Sequence, residues 1–128
     1  MNKETLTVYT EQDGTVTYRN DSGERHNPHG PAVVGLDGYK FYYINGQLHN
    51  PDGPAVVWPD GGQEYWINDQ PHNPHGPAII WANGYKAYWI KGKKLTEAEF
   101  KTWQNQQTAP LHNKTKVIDG IEYKLTAI

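Results

Sequence analysis

Apolar and polar positions along the chain fall into one short pattern written three times. After Ala32, Ala55 and Ala78 come VVGLDGYKFYYINGQ, VVWPDGGQEYWINDQ and IIWANGYKAYWIKGK, each an apolar run, a turn dipeptide, an aromatic run and a second turn. Short apolar runs bounded by Asp-Gly or Asn-Gly predict strands joined as β-hairpins. Asp37-Gly38, Asp60-Gly61 and Asn83-Gly84 separate the two runs, and Asn45-Gly46, Asn68-Asp69 and Lys91-Gly92 close each aromatic strand. Between hairpins a phrase recurs every 23 residues, HNPHGPA from His26, HNPDGPA from His49 and HNPHGPA from His72. In this connection Asn and Asp are expected to bond the local backbone, Pro to fix φ, and Gly, Gly53 included, to adopt positive φ. A period of this length predicts one supersecondary unit stacked on copies of itself: strand, tight turn, strand, long Pro/Gly connection.

The two ends depart from the pattern. Asp13-Gly14 precedes Asp37-Gly38 by 24 residues, which makes residues 1–25 a degenerate first repeat with the extra residue absorbed in NDSGER and Tyr18 in register with Tyr42, Tyr65 and Tyr88. Where a fourth phrase is due, the chain reads LTEAEFKTWQNQQ. Thr96 and Glu99 form a capping box, Glu97 and Lys101 stand four apart, and Phe100 and Trp103 share a face. A short helix over about residues 97–106 is predicted to cap the last hairpin, followed by a loop at 108–113 and a final hairpin centred on Asp119-Gly120. The expected fold is mainly β, with tandem antiparallel hairpin repeats forming one elongated sheet of about nine strands, then a short C-terminal helix and a hairpin. It makes a single repeat domain, divided into residues 1–25, three repeats over 26–94, a helix over 95–107 and a tail over 108–128.

Charge and composition narrow the function. Formal net charge is −2 with a pI near 6.3, so no general electrostatic grip on nucleic acid or an anionic membrane is encoded. There is no cysteine, no apolar run of membrane-spanning length, and no signal-peptide core in MNKETLTVY, which together predict a cytoplasmic protein. Asn20-Asp21-Ser22 and Asn113-Lys114-Thr115 match the glycosylation pattern by chance on that reading.

Aromatic content stands out, with five Trp and nine Tyr against one Met and two Phe. Strand alternation puts Tyr42, Tyr65 and Tyr88 on one face with Ile44, Ile67 and Ile90, and Tyr43, Trp66 and Trp89 on the other with Tyr39 and Tyr85. Val33, Val56 and Ile79 share their side with Trp58 and Trp81. One sheet with two apolar ladders has to cover one of them by curling, by self-association or with a partner. The less uniform face supplies the candidate partner-binding residues Tyr39, Tyr43, Trp66 and Trp89.

The histidines form His26/His29 and His72/His75 pairs, and His49 is followed by Asp52 at the same spacing, types that can bind a transition metal. Adjacent repeats are expected about 9 to 10 Å apart, too far for imidazoles to share one ion. Turn structure is the favoured reading, with no metal and no cofactor. Ser22 is the sole serine and carboxylates are scattered, so no nucleophile with an ordered base is present and no catalytic residues are assigned.

The 23-residue hairpin with an aromatic-x-x-Gly ending, as in YYING and YWIKG, followed by a His/Gly-rich link and a DG turn, resembles MORN repeats and their bacterial relatives, the YwqK-like antitoxin group. The HNP[HD]GPA phrase is similar to a repeat subfamily of bacteriophage and large-virus proteins. The likeness covers about residues 14–100; Phe41, Glu64 and Ala87 stand where that family usually has a second glycine. The resemblance implies an interaction scaffold: a non-enzymatic phage-type accessory protein in the host cytoplasm that inhibits a host protein by masking its surface. The alternatives are an antitoxin-like binder of a cognate toxin, a single-stranded nucleic-acid binder using the aromatic ladder, and a metal binder using the histidine phrase.

Overall fold

The computed structural model describes residues 4–108 and the strands at 115–118 and 121–124. Residues 109–113 of the expected loop, Asn113 and Lys114 of the glycosylation-type triplet, and the Asp119-Gly120 turn lie outside the described residues. The chain divides into two compact units, residues 1–94 and 95–128.

The first unit is built on one nine-stranded sheet. Its strands are β1 (Thr7–Thr10), β2 (Val16–Arg19), β3 (Val33–Val34), β4 (Lys40–Phe41), β7 (Val56–Val57), β8 (Gln63–Glu64), β11 (Ile79–Ile80), β12 (Lys86–Ile90) and β13 (Lys93–Leu95), in the order β1-β2-β3-β4-β7-β8-β11-β12-β13. Each repeat therefore advances the sheet by two strands. Between them, β5 (Tyr43–Ile44) with β6 (Gln47–Leu48), and β9 (Trp66–Ile67) with β10 (Gln70–Pro71), form separate two-stranded antiparallel sheets. The single aromatic strand expected from the sequence is thus broken at Tyr42 and Tyr65. In the last repeat it runs unbroken as β12, and β13 stays in the main sheet.

Two kinds of turn account for this geometry. At the first, Gly38 N–H donates to Gly35 O at 3.0 Å and Gly35 N–H to Tyr39 O at 2.9 Å. Equivalent bonds join Glu11, Gly14 and Thr15, Trp58, Gly61 and Gly62, and Trp81, Gly84 and Tyr85. Only the last loop residue has positive φ: Gly14 at 91°, Gly38 at 97°, Gly61 at 95° and Gly84 at 93°. This is a type I turn closed by a left-handed glycine, not a two-residue turn. The preceding Asp or Asn accepts from the amide two residues on, Asp60 from Gly62 at 2.9 Å and Asn83 from Tyr85 at 3.0 Å. Asp13 does the same from Thr15 at 2.9 Å, and that bond, aided by the Thr15 side chain, holds its carboxyl below the usual range.

The second turn is a two-residue type I′, with positive φ at both Asn45 and Gly46, Asn68 and Asp69, and Lys91 and Gly92. In the first repeat its place is taken by a three-residue loop, where Asn20 N–H donates to Glu24 O and Gly23 N–H to Asn20 O. Three loop residues in place of two explain why this repeat is 24 long, and they sit in the NDSGER stretch.

Gly53 departs from expectation. Gly30, Gly53 and Gly76 are not among the positive-φ residues, and a Cβ on Gly53 would meet only Asn50 Nδ2, at 3.8 Å. The phrase is shaped by its Asn and Pro residues, leaving glycine no strained position to occupy. Gly61→Ala, in open space but at φ 95°, is therefore expected to destabilise by about 1–2 kcal/mol, and Gly53→Ala by under about 0.5 kcal/mol, in parallel urea unfolding curves.

The buried apolar residues of the sheet are Val33, Val56, Ile79 and four alanines, and the most deeply buried of them are small. Ala32, Ala55 and Ala78 are each 0% exposed. Each alanine donates to the next strand, to Phe41, Glu64 and Ala87 O at 2.8–2.9 Å, and accepts from the previous one, from Tyr18, Tyr42 and Tyr65 N–H at 2.7 Å. These bonds place Tyr18 in the Tyr42 register. A cross-strand row Thr17–Val33–Phe41–Val56–Glu64–Ile79–Ala87 runs through the sheet on one face. The row Val16–Val34–Lys40–Val57–Gln63–Ile80–Lys86 lies on the other.

In the second unit, α1 (Glu97–Thr108) opens with the expected capping box. Thr96 N–H donates to Glu99 Oε1 at 2.8 Å and Glu99 N–H to Thr96 Oγ1 at 3.1 Å. Lys101 Nζ reaches Glu97 at 3.4 Å, and the Phe100 and Trp103 rings stack at 5.9 Å. β14 (Thr115–Ile118) and β15 (Ile121–Lys124) pair antiparallel.

Candidate functional site

The repeated phrase is a folded loop held by its asparagine. Asn27, Asn50 and Asn73 Nδ2 donate to the carbonyls of Pro31, Pro54 and Pro77 at 3.0–3.1 Å. Their Oδ1 atoms accept from the amides of His29, Asp52 and His75 at 3.0–3.1 Å. The first histidine ties this loop to the next turn: Nδ1 of His26, His49 and His72 accepts from the amides of Asn45, Asn68 and Lys91 at 2.8, 3.1 and 2.9 Å. A backbone N–H can only donate, so in all three rings Nδ1 is the unprotonated nitrogen and the proton resides on Nε2. His26 Nε2 also meets the Glu4 carboxylate. His72 titrates below the ordinary imidazole value because burial, and then the Lys91 charge, disfavour its cation. Among the described residues no three His, Asp or Glu side chains gather as a metal-ligating set.

These loops wall the Tyr42 face. A cleft of about 550 Å³ has Tyr42 and Ile44 as its floor and the loops at Asn27–Gly30 and Asn50–Asp52 as its sides. A second, of about 370 Å³, is lined by the same positions 23 residues on, with Tyr65 and Ile67 as floor. The chain thus covers one of its two ladders with its own repeated loops, leaving a groove between each pair.

On the opposite face the row through Val33, Val56, Ile79 and Ala87 is buried, and a cleft of about 570 Å³ is lined by Thr15, Thr17, Val33, Tyr39 and Phe41 among others. Tyr39, Tyr43, Trp66 and Trp89 are each half-buried. The open rings are Trp58 at 36%, Tyr85 at 41%, Trp81 at 46% and, on the edge strand, Tyr9 at 48% exposure. Trp58 and Trp81 take the first position of the type I turns, equivalent to Gly35, and so stand at the sheet margin where neighbouring strands do not shield them. Only at Gly35 is the space taken: a Cβ there would lie 2.1 Å from the Tyr39 ring.

The rings along this face are fixed by specific contacts. Tyr39 and Phe41 centroids are 5.2 Å apart, and Trp58 meets Phe41 edge-on at 5.3 Å. Glu64, in the row where the other repeats have Phe41 and Ala87, accepts from Trp58 Nε1 at 2.9 Å and from Trp66 Nε1 at 3.1 Å. The Trp81 and Tyr85 centroids are 4.7 Å apart, with the rings tilted by 34°. Trp89 Nε1 is buried with no hydrogen-bond partner among the described residues, so its N–H is kept from water without compensation.

Sequence alternation groups Tyr39, Tyr43, Trp66 and Trp89 on one face but misses that Trp58, Trp81 and Tyr85 are among its exposed members. The available signal was their adjacency to the Asp-Gly and Asn-Gly turns. No family model matches the chain, and neither a curated protein nor a solved structure is significantly similar to it. No helix among the described residues is long and apolar enough to cross a membrane.

Proposed function

We propose that this protein is a non-enzymatic binding module that captures another protein on its Trp66 face. The observation that carries this reading is the set of ordered, part-exposed rings at the margin of this face, Trp58, Trp81 and Tyr85, held in place by neighbouring rings and by Glu64. Aromatic side chains already held in place lose little conformational freedom on binding and are the usual anchors of interfaces. Trp58, Trp81 and Tyr85, the exposed rings, are the anchors of the surface, and the half-buried Tyr39, Tyr43, Trp66 and Trp89 complete it. A cytoplasmic phage-type inhibitor that masks a host protein is the biological role this reading favours, with a cognate toxin as the alternative partner.

The test is capture by a tagged chain from its native host with identification by mass spectrometry, beside titration of tryptophan fluorescence with single-stranded oligonucleotide. Capture of one protein in stoichiometric amount, with no quenching by oligonucleotide at physiological salt, is expected. Salt-resistant quenching would assign the rings to base stacking and refute the reading.

A further inference from the structure

We infer that the cleft between Trp58 and Trp81 is a cation site that takes the guanidinium of an arginine presented by a protein partner. The cleft, about 240 Å³, is lined by Trp58, Asp60, Glu64 and Trp81: two indoles and two carboxylates, with no basic side chain. Aromatic faces attract cations through the ring quadrupole, indole most strongly, and carboxylates add direct attraction. Elsewhere the chain supplies such cations itself, placing Arg19 over Tyr9 at 5.8 Å, Arg25 over Tyr43 at 5.5 Å and Lys94 over Tyr85 at 5.8 Å. Among the described residues no Lys or Arg is placed in this way over Trp58 or Trp81.

The site is also pre-ordered. Trp58 is held by the Phe41 edge and the Glu64 carboxylate, and Trp81 by the Tyr85 ring. Each Glu64 oxygen accepts one indole N–H, which uses two of about four acceptor positions and leaves capacity for an incoming donor. Asp60 Oδ1 accepts the Gly62 amide and likewise retains acceptor capacity. A planar guanidinium can stack on an indole while its edge donates to a carboxylate, which a compact ammonium cannot do. Charge complementarity therefore selects a cation, and the planar fork of the guanidinium selects arginine. The inference rests on the protein-binding reading for the source of that side chain.

The experiment follows the five indole N–H resonances by two-dimensional NMR, with Trp58 and Trp81 assigned through Trp58→Phe and Trp81→Phe. The intact protein is titrated in parallel with N-acetyl-arginine amide, its neutral isostere N-acetyl-citrulline amide, and tetramethylammonium chloride. Saturable shifts confined to Trp58 and Trp81 are expected with the arginine amide and not with citrulline. Asp60→Asn, which keeps the acceptor for Gly62, is expected to weaken the response about threefold. The remaining indole resonances report that each variant is folded. Equal shifts with citrulline, shifts confined to other indoles, no saturable shift, or insensitivity to Asp60→Asn would overturn the cation site. A response to tetramethylammonium without one to arginine would overturn the choice of arginine. A partner still captured through this face without any arginine response removes the cation site and leaves the protein-binding reading standing.

Discussion

Acidification from pH 7.5 to 5 is expected to lower the unfolding free energy by about 1 kcal/mol, through loss of the His72 member of the three repeated histidine hydrogen bonds. Each bond needs an unprotonated Nδ1 on His26, His49 or His72. For His72 the folded value is lowered, so the unfolded chain binds its proton first and stability rises with pH. The contribution is fully present above the unfolded value of about 6.5 and is lost as pH falls through the lowered folded value. Urea unfolding across this range in the wild type and in a His72→Ala variant checks the point. The variant should be less stable at pH 7.5 and should lose most of the slope. An unchanged slope would show that the imidazole is not what holds the turn.

Much of the fold was legible because the chain repeats. Turn glycines, apolar runs and a 23-residue period agree with one another, and each refers to local chemistry that a short stretch encodes. The capping box at Thr96 and Glu99 was readable for the same reason. The break at Tyr42 and Tyr65 was not. It depends on whether the second hairpin stays with the main sheet or leaves it, a tertiary choice made differently in the last repeat by nearly the same sequence. Gly53 was misassigned because Pro/Gly-rich phrases suggest left-handed glycine, whereas here asparagine side chains shape the loop from both ends.

The candidate surface was half legible. Alternation sorts residues by face but does not say which face the rest of the chain covers. Covering of the Tyr42 ladder arises from loops that fold over it, and the histidine bonds that anchor them span 19 residues with no local signature. Exposure of Trp58 and Trp81 follows from their place in the turn, which requires knowing that the loop has three residues and that its first flanking position points outward.

The second large effect is expected at those two tryptophans. Trp58→Ala with Trp81→Ala removes both exposed indoles of the face while sparing the half-buried Trp66 and Trp89, so the fold should survive. Aromatic anchors of an interface cost about 2 kcal/mol or more each on truncation, which is about 30-fold in affinity for one and several hundredfold or more for two when they act independently. The captured protein, purified and titrated calorimetrically against the wild type and the Trp58→Ala/Trp81→Ala variant, provides the most direct measurement. Binding at least about 100-fold weaker in the variant, at unchanged melting temperature, is the predicted result. Equal affinity of the two proteins for the same partner would contradict the assignment of this face as the binding surface.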